Sequence, residues 1–230
     1  LSHDDLSLHP DVGQNQTIGS RENNLITGTN ESETIQGKTG DDVLFGLSGD
    51  DSISGSEGSD TLSGDAGHDT LDGGSGADLI LAQDGDDRII ASIGNDSIDG
   101  GEGIDTYDAS GQNKGTIISL ADQVAIFDEP YVTRIYNTEN VIGSYYDDIL
   151  IGDEHHNVIE TGGGSDTLVG GDGNNTFKIT DSHSFSQVII TDFDQIKDTL
   201  DLTSFDDIFH NGQLHITHSG TNTIIRLFDR

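Results

Sequence analysis

The chain has 230 residues, of which 43 are Asp or Glu and only nine are Lys or Arg, so its formal net charge is −34. This charge leaves no basic face for nucleic acid or for an anionic membrane, and it excludes both classes of partner. Cys, Met and Trp are absent, which excludes disulfides and zinc–thiolate sites. No apolar run approaches the roughly 18 residues that a membrane-spanning helix needs. The missing initiator Met predicts that the sequence is a piece of a longer protein.

Hydrophobic residues make up only 31% of the chain. Low hydrophobicity combined with high net charge is typical of disordered chains, so folding requires a further source of stability. The 31 Gly residues and the many Asp residues favour tight turns, and carboxylate and carbonyl oxygens are ligands that suit a hard cation such as Ca²⁺. The composition therefore favours a fold that depends on bound calcium.

Residues 1–18 form an N-terminal lead-in, and from Gly19 to Asp108 the sequence repeats every nine residues. The eighth position of each unit is apolar in all ten units, running Ile26, Ile35, Leu44, Ile53, Leu62, Leu71, Ile80, Ile89, Ile98 and Tyr107. The fourth position in the last eight units is Gly40, Gly49, Gly58, Gly67, Gly76, Gly85, Gly94 and Gly103. The sixth position in the same units is Asp42, Asp51, Asp60, Asp69, Asp78, Asp87, Asp96 and Asp105. Nine residues are too few for a strand–helix unit, so the repeat predicts very short strands that alternate with turns.

Units such as Gly73-Gly74-Ser75-Gly76-Ala77-Asp78-Leu79-Ile80 resemble the RTX family, whose haemolysin-type calcium-binding nonapeptide is G-G-x-G-x-D-x-U-x. The resemblance implies an all-β fold, a parallel β-roll of the β-helix or solenoid type, with calcium bound in the turns. Each unit would be a six-residue turn followed by a short strand, and two units would complete one coil.

If two units form a coil, turns two units apart stack, and their Asp side chains form two files of like charge about 4.8 Å apart. A calcium ion between successive turns would neutralise them, taking a carboxylate from each turn and main-chain carbonyls for its other ligands. Gly is expected in the turns because the backbone must reach positive φ and bring its carbonyls inward without a Cβ in the way. This gives six complete sites in residues 19–108. The turn glycines assigned to them, besides those of the fourth position, are Gly37, Gly46, Gly55, Gly64 and Gly73.

The first two units lack this chemistry, with Asn24 and Glu33 at the sixth position and Glu22 and Glu31 at the fourth. We expect them to form an N-terminal coil that covers the core without complete metal sites.

Residues 109–142 interrupt the repeat with alternating apolar residues, which predict strands within 116–120, 124–127 and 131–136 and a turn at Asp128-Glu129-Pro130. The repeat returns over 143–178, with Leu150, Ile159, Leu168 and Phe177 directed inward. Asp148 and Asp166 could share one ion. Asn157 and Asn175 would supply carbonyl oxygens but no charge, and the whole chain would bind about six to eight ions.

Residues 179–230 predict C-terminal β-hairpins that close the roll. The Asp192-Phe193-Asp194 and Asp198-x-Leu200-Asp201-Leu202 segments resemble the end of many type I secretion substrates, although no apolar export tail is visible before Arg230. Four tyrosines are expected to pack in the core or across strands rather than to form a sugar-stacking patch: Tyr131, Tyr136, Tyr145 and Tyr146. His210, His215 and His218 are expected to be exposed polar residues rather than a metal site.

The sequence predicts a non-enzyme, because no Gly-x-Ser-x-Gly elbow, His-Glu-x-x-His helix or EF-hand loop is present. Ser32 stands where the Gly of a phosphate-binding loop would have to precede Gly37-Lys38-Thr39. The resemblance implies a monomeric module of a bacterial protein that a type I apparatus exports and that folds outside the cell, as a rigid scaffold in a larger protein such as an adhesin. Two alternatives stay open: a module that binds a glycan or a surface, and the C-terminal part of a secreted protease, lipase or polysaccharide epimerase.

Overall fold

In a computed structural model, the structure describes residues 7–8, 15–127, 130–180, 187–205, 214–220 and 222–227. The chain divides into two compact units. Unit 1 comprises Leu1–Tyr107 and Asp128–Thr138, and unit 2 comprises Asp108–Phe127 and Glu139–Arg230. The segment between the two blocks of repeats therefore contributes to both units. Among the residues described, no helix is long and apolar enough to span a membrane.

Unit 1 consists of two parallel sheets whose strands alternate along the chain. The first sheet has, in spatial order, β1 (Ser7–Leu8), β3 (Leu25–Thr27), β5 (Val43–Ser48), β7 (Thr61–Ala66), β9 (Leu79–Asp84), β12 (Ser97–Glu102) and β16 (Thr133–Tyr136). The second has β2 (Gln16–Ile18), β4 (Thr34–Thr39), β6 (Ser52–Glu57), β8 (Thr70–Gly76), β10 (Arg88–Ile90) and β13 (Thr106–Asp108), with β11 (Ile93–Gly94) also paired to β8. Each coil of the roll thus uses two nine-residue units, one strand in each sheet.

The register between neighbouring strands is a shift of 18 residues, as in the pairing of Leu44 with Leu62. Side chains alternate across a strand, so the eighth position of every unit faces the inside of the roll. Ile26, Leu44, Leu62 and Ile80 are all fully buried. One apolar residue per unit therefore forms the core, as the repeat predicts.

Unit 2 repeats this architecture with fewer coils. Its first sheet runs β15 (Val124–Ile126), β14 (Ile117–Ser119), β18 (Ile149–Ile151), β20 (Ser165–Val169), β22 (Gln187–Ile190), β25 (Asn222–Leu227) and β24 (Leu214–Ser219). Its second sheet runs β17 (Asn140–Ile142), β19 (Val158–Glu160), β21 (Thr176–Lys178) and β23 (Thr199–Asp201), and a short 3₁₀ helix follows at Thr203–Phe205. The β14–β15 and β24–β25 pairs are antiparallel hairpins, and β25 also pairs antiparallel with β22.

The predicted fold class is confirmed: the described chain is nearly all β, with parallel β-rolls and a C-terminal hairpin. The strands expected in the insertion are present as β14, β15 and β16. The turn expected at Asp128-Glu129-Pro130 lies mostly outside the described residues.

Core packing, one of the two placements expected for the four tyrosines, is wrong. Tyr131, Tyr136, Tyr145 and Tyr146 are between 38% and 61% exposed. Tyr136 occupies an outward position of β16, where burial alternates residue by residue. Tyr145 and Tyr146 lie in the turn that precedes β18, so neither can reach the core.

Candidate metal centres

The sixth-position Asp residues form two hydrogen-bonded ladders along unit 1. The main-chain N–H of Asp42 donates to Oδ1 of Asp60 at 2.7 Å, and that of Asp60 donates to Oδ1 of Asp78 at 2.8 Å. On the other side, Asp51 donates to Asp69 at 2.7 Å and Asp69 to Asp87 at 2.7 Å. The same bond links Asp78 to Asp96, Asp87 to Asp105 and, in unit 2, Asp148 to Asp166. The fold therefore stacks the predicted ligands as the sequence implies.

The second oxygen of these carboxylates, Oδ2, is used differently. It is buried without a hydrogen-bond partner in Asp42, Asp51, Asp60, Asp69, Asp78, Asp87 and Asp166. The exposed fraction of each of these residues is only 1 to 3%. Buried polar atoms in folded proteins are nearly always paired, and seven carboxylate oxygens without a donor in one repeated position fit a positively charged partner.

Electrostatics leads to the same conclusion. Burial raises the pKa of Asp51 to about 7 and that of Asp60 to about 6, from an ordinary value of 3.8, although the main-chain hydrogen bonds oppose the shift. Burial likewise raises the pKa of Asp69 and Asp78 to about 6 and that of Asp166 to about 8, with a neighbouring Asp of the same ladder adding to the effect. Without a counter-ion, the folded chain thus resists ionisation of the side chains that line its turns.

The first-position glycines mark the space next to these oxygens. A Cβ at Gly55 would collide with Oδ2 of Asp60 and lie 2.6 Å from the carbonyl oxygen of Gly73, two units further on. A Cβ at Gly46 would similarly meet Asp51 and Gly64. A carboxylate and a carbonyl thus converge on a cradle that a methyl group would fill. This donor set is hard and rich in oxygen, and it fits calcium.

The fourth-position and first-position glycines are needed for different reasons, backbone conformation and space. The fourth-position glycines have positive φ, for example 145° at Gly67 and 144° at Gly85, so Gly is favoured there by its backbone freedom. None of the first-position glycines Gly37, Gly46, Gly55, Gly64 and Gly73 has positive φ. Their role is to leave the cradle open.

The second position of the turn is also left-handed, which the sequence analysis missed. Lys38, Leu47, Ser56, Asp65 and Gln83 all have φ between 70° and 91°. This conformation is costly for residues with a Cβ. Gly fills the same position in other turns, as at Gly74 and Gly101 and in the G-G-x-G consensus, but these five residues share no property that signals the conformation.

Some predicted ligands are placed differently from the others. Oδ2 of Asp96 lies 3.4 Å from the Ser92 hydroxyl and 3.3 Å from the Thr133 hydroxyl. Gly94, in the same turn, lacks the positive φ of the other fourth-position glycines.

The predicted ligands of unit 2 also have partners of their own. Oδ2 of Asp148 accepts the main-chain N–H of Ser144 at 2.7 Å. Asn175 accepts the N–H of Asn157 at 3.0 Å and donates from Nδ2 to the carbonyl of Asp172 at 3.1 Å.

The insertion supplies two sixth-position residues that the sequence analysis did not identify. Thr133 lies above Asp96, because β16 pairs with β12 in the register of the repeat. Thr116 lies below Asp148 and donates both its main-chain N–H, at 2.7 Å, and its hydroxyl, at 3.0 Å, to Oδ1. In both segments the sequence reads Thr-x-Ile where a unit of the repeat would read Asp-x-Ile, and the Ile is the inward residue. This pattern could have identified the two positions.

The histidines do not form a metal site in the part of the chain that the structure describes. His215 and His218 are exposed, as expected, and His210 lies outside the described residues. No group of three or more His, Cys, Asp or Glu side chains that could hold a metal occurs among the described residues. The cradles are a different kind of site, because each combines carboxylates with main-chain carbonyls.

Comparison with known proteins agrees with this geometry. The family model for the RTX calcium-binding nonapeptide repeat, in four copies, matches residues 27–62, 46–80, 54–87, 72–107 and 142–177, which together span half of the chain. The comparison with curated proteins found no match. A roll of such repeats is a structural calcium-binding module and not a catalytic fold. The chain therefore belongs to the RTX family of calcium-binding nonapeptide-repeat proteins.

Proposed function

We propose that calcium held between stacked turns is what allows this chain to fold, and that folding occurs outside the cell that makes it. The ions would be held by sixth-position carboxylates together with turn carbonyls. The proposed carboxylate ligands in unit 1 are Asp42, Asp51, Asp60, Asp69, Asp78, Asp87 and Asp105.

The observation that carries this proposal is the set of seven buried Oδ2 atoms that lack a hydrogen-bond partner. Each is a full or partial negative charge removed from water, and removal of a charge from water without a partner is strongly unfavourable. A net charge of −34 adds repulsion across the whole molecule. Divalent cations remove both penalties together.

The calcium affinity of the turn sites determines where the chain would fold. Extracellular calcium modules bind with Kd values of about 10⁻⁴ to 10⁻³ M. Such sites stay empty where calcium is scarce, so the chain would remain extended and could pass a type I secretion apparatus. Each site that binds only the folded chain adds about 2.7 kcal/mol of stability once calcium exceeds its Kd a hundredfold. The folded, monomeric module would then serve as a rigid scaffold in a larger secreted or surface protein such as an adhesin.

Far-UV circular dichroism tests the proposal. The chain in excess EDTA should lack the strand signal and gain it on addition of millimolar calcium, with magnesium as the control for ionic strength. Magnesium should be much less effective, because it demands near-octahedral geometry and gives up its water reluctantly. A strand spectrum that persists in EDTA would overturn the proposal.

A glycan-binding role is the second candidate, and it is favoured by one observation. Tyr145 and Tyr146 are neighbours in one turn of unit 2 and are 61% and 48% exposed. Exposed aromatic rings offer flat apolar faces on which sugar rings can stack. This role requires a rise in melting temperature with neutral oligosaccharides at fixed calcium concentration. The rise should vanish in a variant with Tyr145→Ala and Tyr146→Ala, and a wild-type protein that shows no rise would exclude this role.

A further inference from the structure

The turns of the array have two conformations. In open turns, the second and fourth positions both have positive φ, as at Lys38 and Gly40 or at Gly101 and Gly103. In closed turns, neither position does. The open turns are residues 37–42, 46–51, 55–60, 64–69, 73–78, 82–87, 100–105, 161–166 and 170–175. The closed turns are residues 19–24, 28–33, 91–96, 143–148, 152–157 and 193–198.

Closed turns satisfy their own sixth-position side chain. In the turn of Ser144, the main-chain N–H of the second residue donates to Oδ2 of Asp148 at 2.7 Å, and the Ser144 hydroxyl donates to Oδ1 at 2.9 Å. The same main-chain bond spans four residues in four other closed turns: Ser20 to Asn24 at 2.6 Å, Thr29 to Glu33 at 2.8 Å, Asp153 to Asn157 at 2.9 Å and Asp194 to Asp198 at 2.8 Å.

The turn of residues 91–96 reaches the same result with hydroxyl groups. Ser92 donates its hydroxyl to Oδ2 of Asp96 at 3.4 Å, and Thr133 of β16 donates to the same oxygen at 3.3 Å. Ala91 stands at the first position, where most open turns have Gly.

An N–H or O–H donor and a metal ion compete for the same oxygen. In a closed turn, the donor's partial positive charge points at the lone pair that calcium would use. Binding an ion there would require breaking that hydrogen bond and turning the peptide, which leaves a buried donor unsatisfied at a cost of about 1–3 kcal/mol. In open turns such as 55–60, positive φ at the second position turns the peptide, and Oδ2 has no donor.

We infer that the six closed turns bind no calcium and that the turns the structure describes hold five ions, one between each stacked pair of open turns. This inference rests on the proposed function, because it assumes that the turn carboxylates are the ligands. The five pairs are turns 37–42 with 55–60, 46–51 with 64–69, 55–60 with 73–78, 64–69 with 82–87, and 82–87 with 100–105.

The remaining open turns lack an open neighbour that carries a carboxylate. Turn 161–166 stacks on closed turn 143–148 through the bond from Asp148 to Asp166, and the strand residue opposite Asp166 on its other side is Val188. Turn 170–175 lies between two closed turns, since Asn157 donates to Asn175 at 3.0 Å and Asn175 donates to Asp198 at 2.9 Å. Within its described residues, unit 2 thus lacks the stacked pairs of open, carboxylate-bearing turns found in unit 1, and Oδ2 of Asp166 is the one unpartnered oxygen of the seven to which no ion is assigned.

Closed turns 91–96 and 143–148 stack on Thr133 and Thr116 of the insertion, and on that side a shared ion would lack one of its two carboxylates. Two of the six closed turns begin the repeats of unit 1 and two begin those of unit 2. A turn with a donor of its own completes the coordination of its carboxylate without help from a neighbour. The arrangement gives each array an end that does not depend on calcium.

Counting bound ions tests the inference. Native mass spectrometry of the calcium-saturated chain should give five ions. Asp60→Asn, in an open turn shared by two pairs, should remove one or two of them, whereas Asp148→Asn, in a closed turn, should remove none. Six or more ions in the wild type, or loss of an ion in Asp148→Asn, would overturn the inference.

A gain of binding keeps the test independent of misfolding. Ser144→Gly combined with Tyr146→Gly gives turn 143–148 the glycines of an open turn and removes the hydroxyl donor. The double variant should bind six ions, because its turn then stacks on open turn 161–166. A count that stays at five contradicts the inference. A wild type that binds no calcium at all refutes the proposed function itself, which separates the two failures.

Discussion

Asp60 and Asp78 are joined by a hydrogen bond of 2.8 Å from the main-chain N–H of the first to Oδ1 of the second, while Oδ2 of Asp78 is buried without a partner. One carboxylate thus divides its two oxygens between two tasks. The first fixes the spacing of consecutive coils, and the second is directed into the cradle. Because Oδ1 is already engaged in the ladder, that bond does not relieve the charge on Oδ2, and loss of the ion would expose the full penalty of the buried charge.

Asp69→Asn should therefore weaken calcium-dependent folding much more than its change in charge suggests. The amide keeps an oxygen for the N–H of Asp51 but carries no charge for the ions of two stacked pairs. We expect the calcium concentration at the folding midpoint to rise at least tenfold, which corresponds to about 1.4 kcal/mol. Titration by circular dichroism measures it.

Glu57→Gln is the matched control for that variant. Glu57 is an exposed residue of unit 1, and its substitution makes the same change in charge without touching a cradle. Its midpoint should move by less than twofold. Equal shifts in the two variants would mean that general repulsion, and not ligation, governs folding.

Acidification should partly replace calcium. Burial raises the pKa of Asp60, Asp69 and Asp78 to about 6 and that of Asp51 to about 7. A raised folded-state pKa means that the folded chain binds more protons than the unfolded one. The stability of the calcium-free fold is therefore greatest below about pH 4 and is lost as the pH rises through 6 to 7.

Two measurements test the predicted direction of this pH dependence. In EDTA, the strand signal should be larger at pH 5 than at pH 7.5. With calcium, the midpoint concentration should rise as the pH falls from 7.5 to 5.5, because protons and calcium compete for the same oxygens. A calcium-free chain that is equally unfolded at both pH values would show that the carboxylates are not desolvated as the structure indicates.

Gly55→Ala tests the cradle itself. The added methyl would meet Oδ2 of Asp60 and the carbonyl of Gly73, so the calcium-loaded protein should lose about 1–3 kcal/mol of stability by overpacking. Gly111→Ala is the control, because a Cβ there meets nothing within 4 Å. Thermal unfolding at saturating calcium measures both variants. A Gly55→Ala protein as stable as Gly111→Ala would contradict the role assigned to first-position glycines.

The parts of the fold that repeat could be predicted from the sequence, and the parts that occur once could not. Leu44, Leu62 and Ile80 recur at one position, so periodicity alone places them inside the roll. Thr116 and Thr133 take the position of an Asp in segments that lack the fourth-position Gly of the repeat, and only strand pairing reveals their register. Tyr145 and Tyr146 look like core residues by type, but they occupy turn positions, which the return of the repeat at Gly143 already implies.

Whether a turn is open or closed is a second feature that residue type does not predict. Ser56 and Asp65 occupy the second position of open turns, whereas Ser20 and Asp153 occupy it in closed ones. The second residue alone therefore cannot decide the state of a turn. A fourth-position Gly accompanies every open turn in residues 37–105, yet Gly94 belongs to a closed one, where Thr133 from the insertion takes part.

Relief of backbone strain offers the last test. Ser56 has a φ of 84°, and a left-handed conformation costs a residue with a Cβ roughly 1–2 kcal/mol. Ser56→Gly should remove that strain, offset by about 0.4–1 kcal/mol for the greater freedom of Gly in the unfolded chain. The calcium-loaded protein should thus gain up to about 1.6 kcal/mol in stability. Ser52→Gly, at an exposed strand position four residues earlier without positive φ, should instead destabilise it, because only the unfolded-state cost applies there. Denaturant unfolding at saturating calcium compares the pair, and a Ser56→Gly protein no more stable than Ser52→Gly would mean that the open conformation is not strained at its second residue.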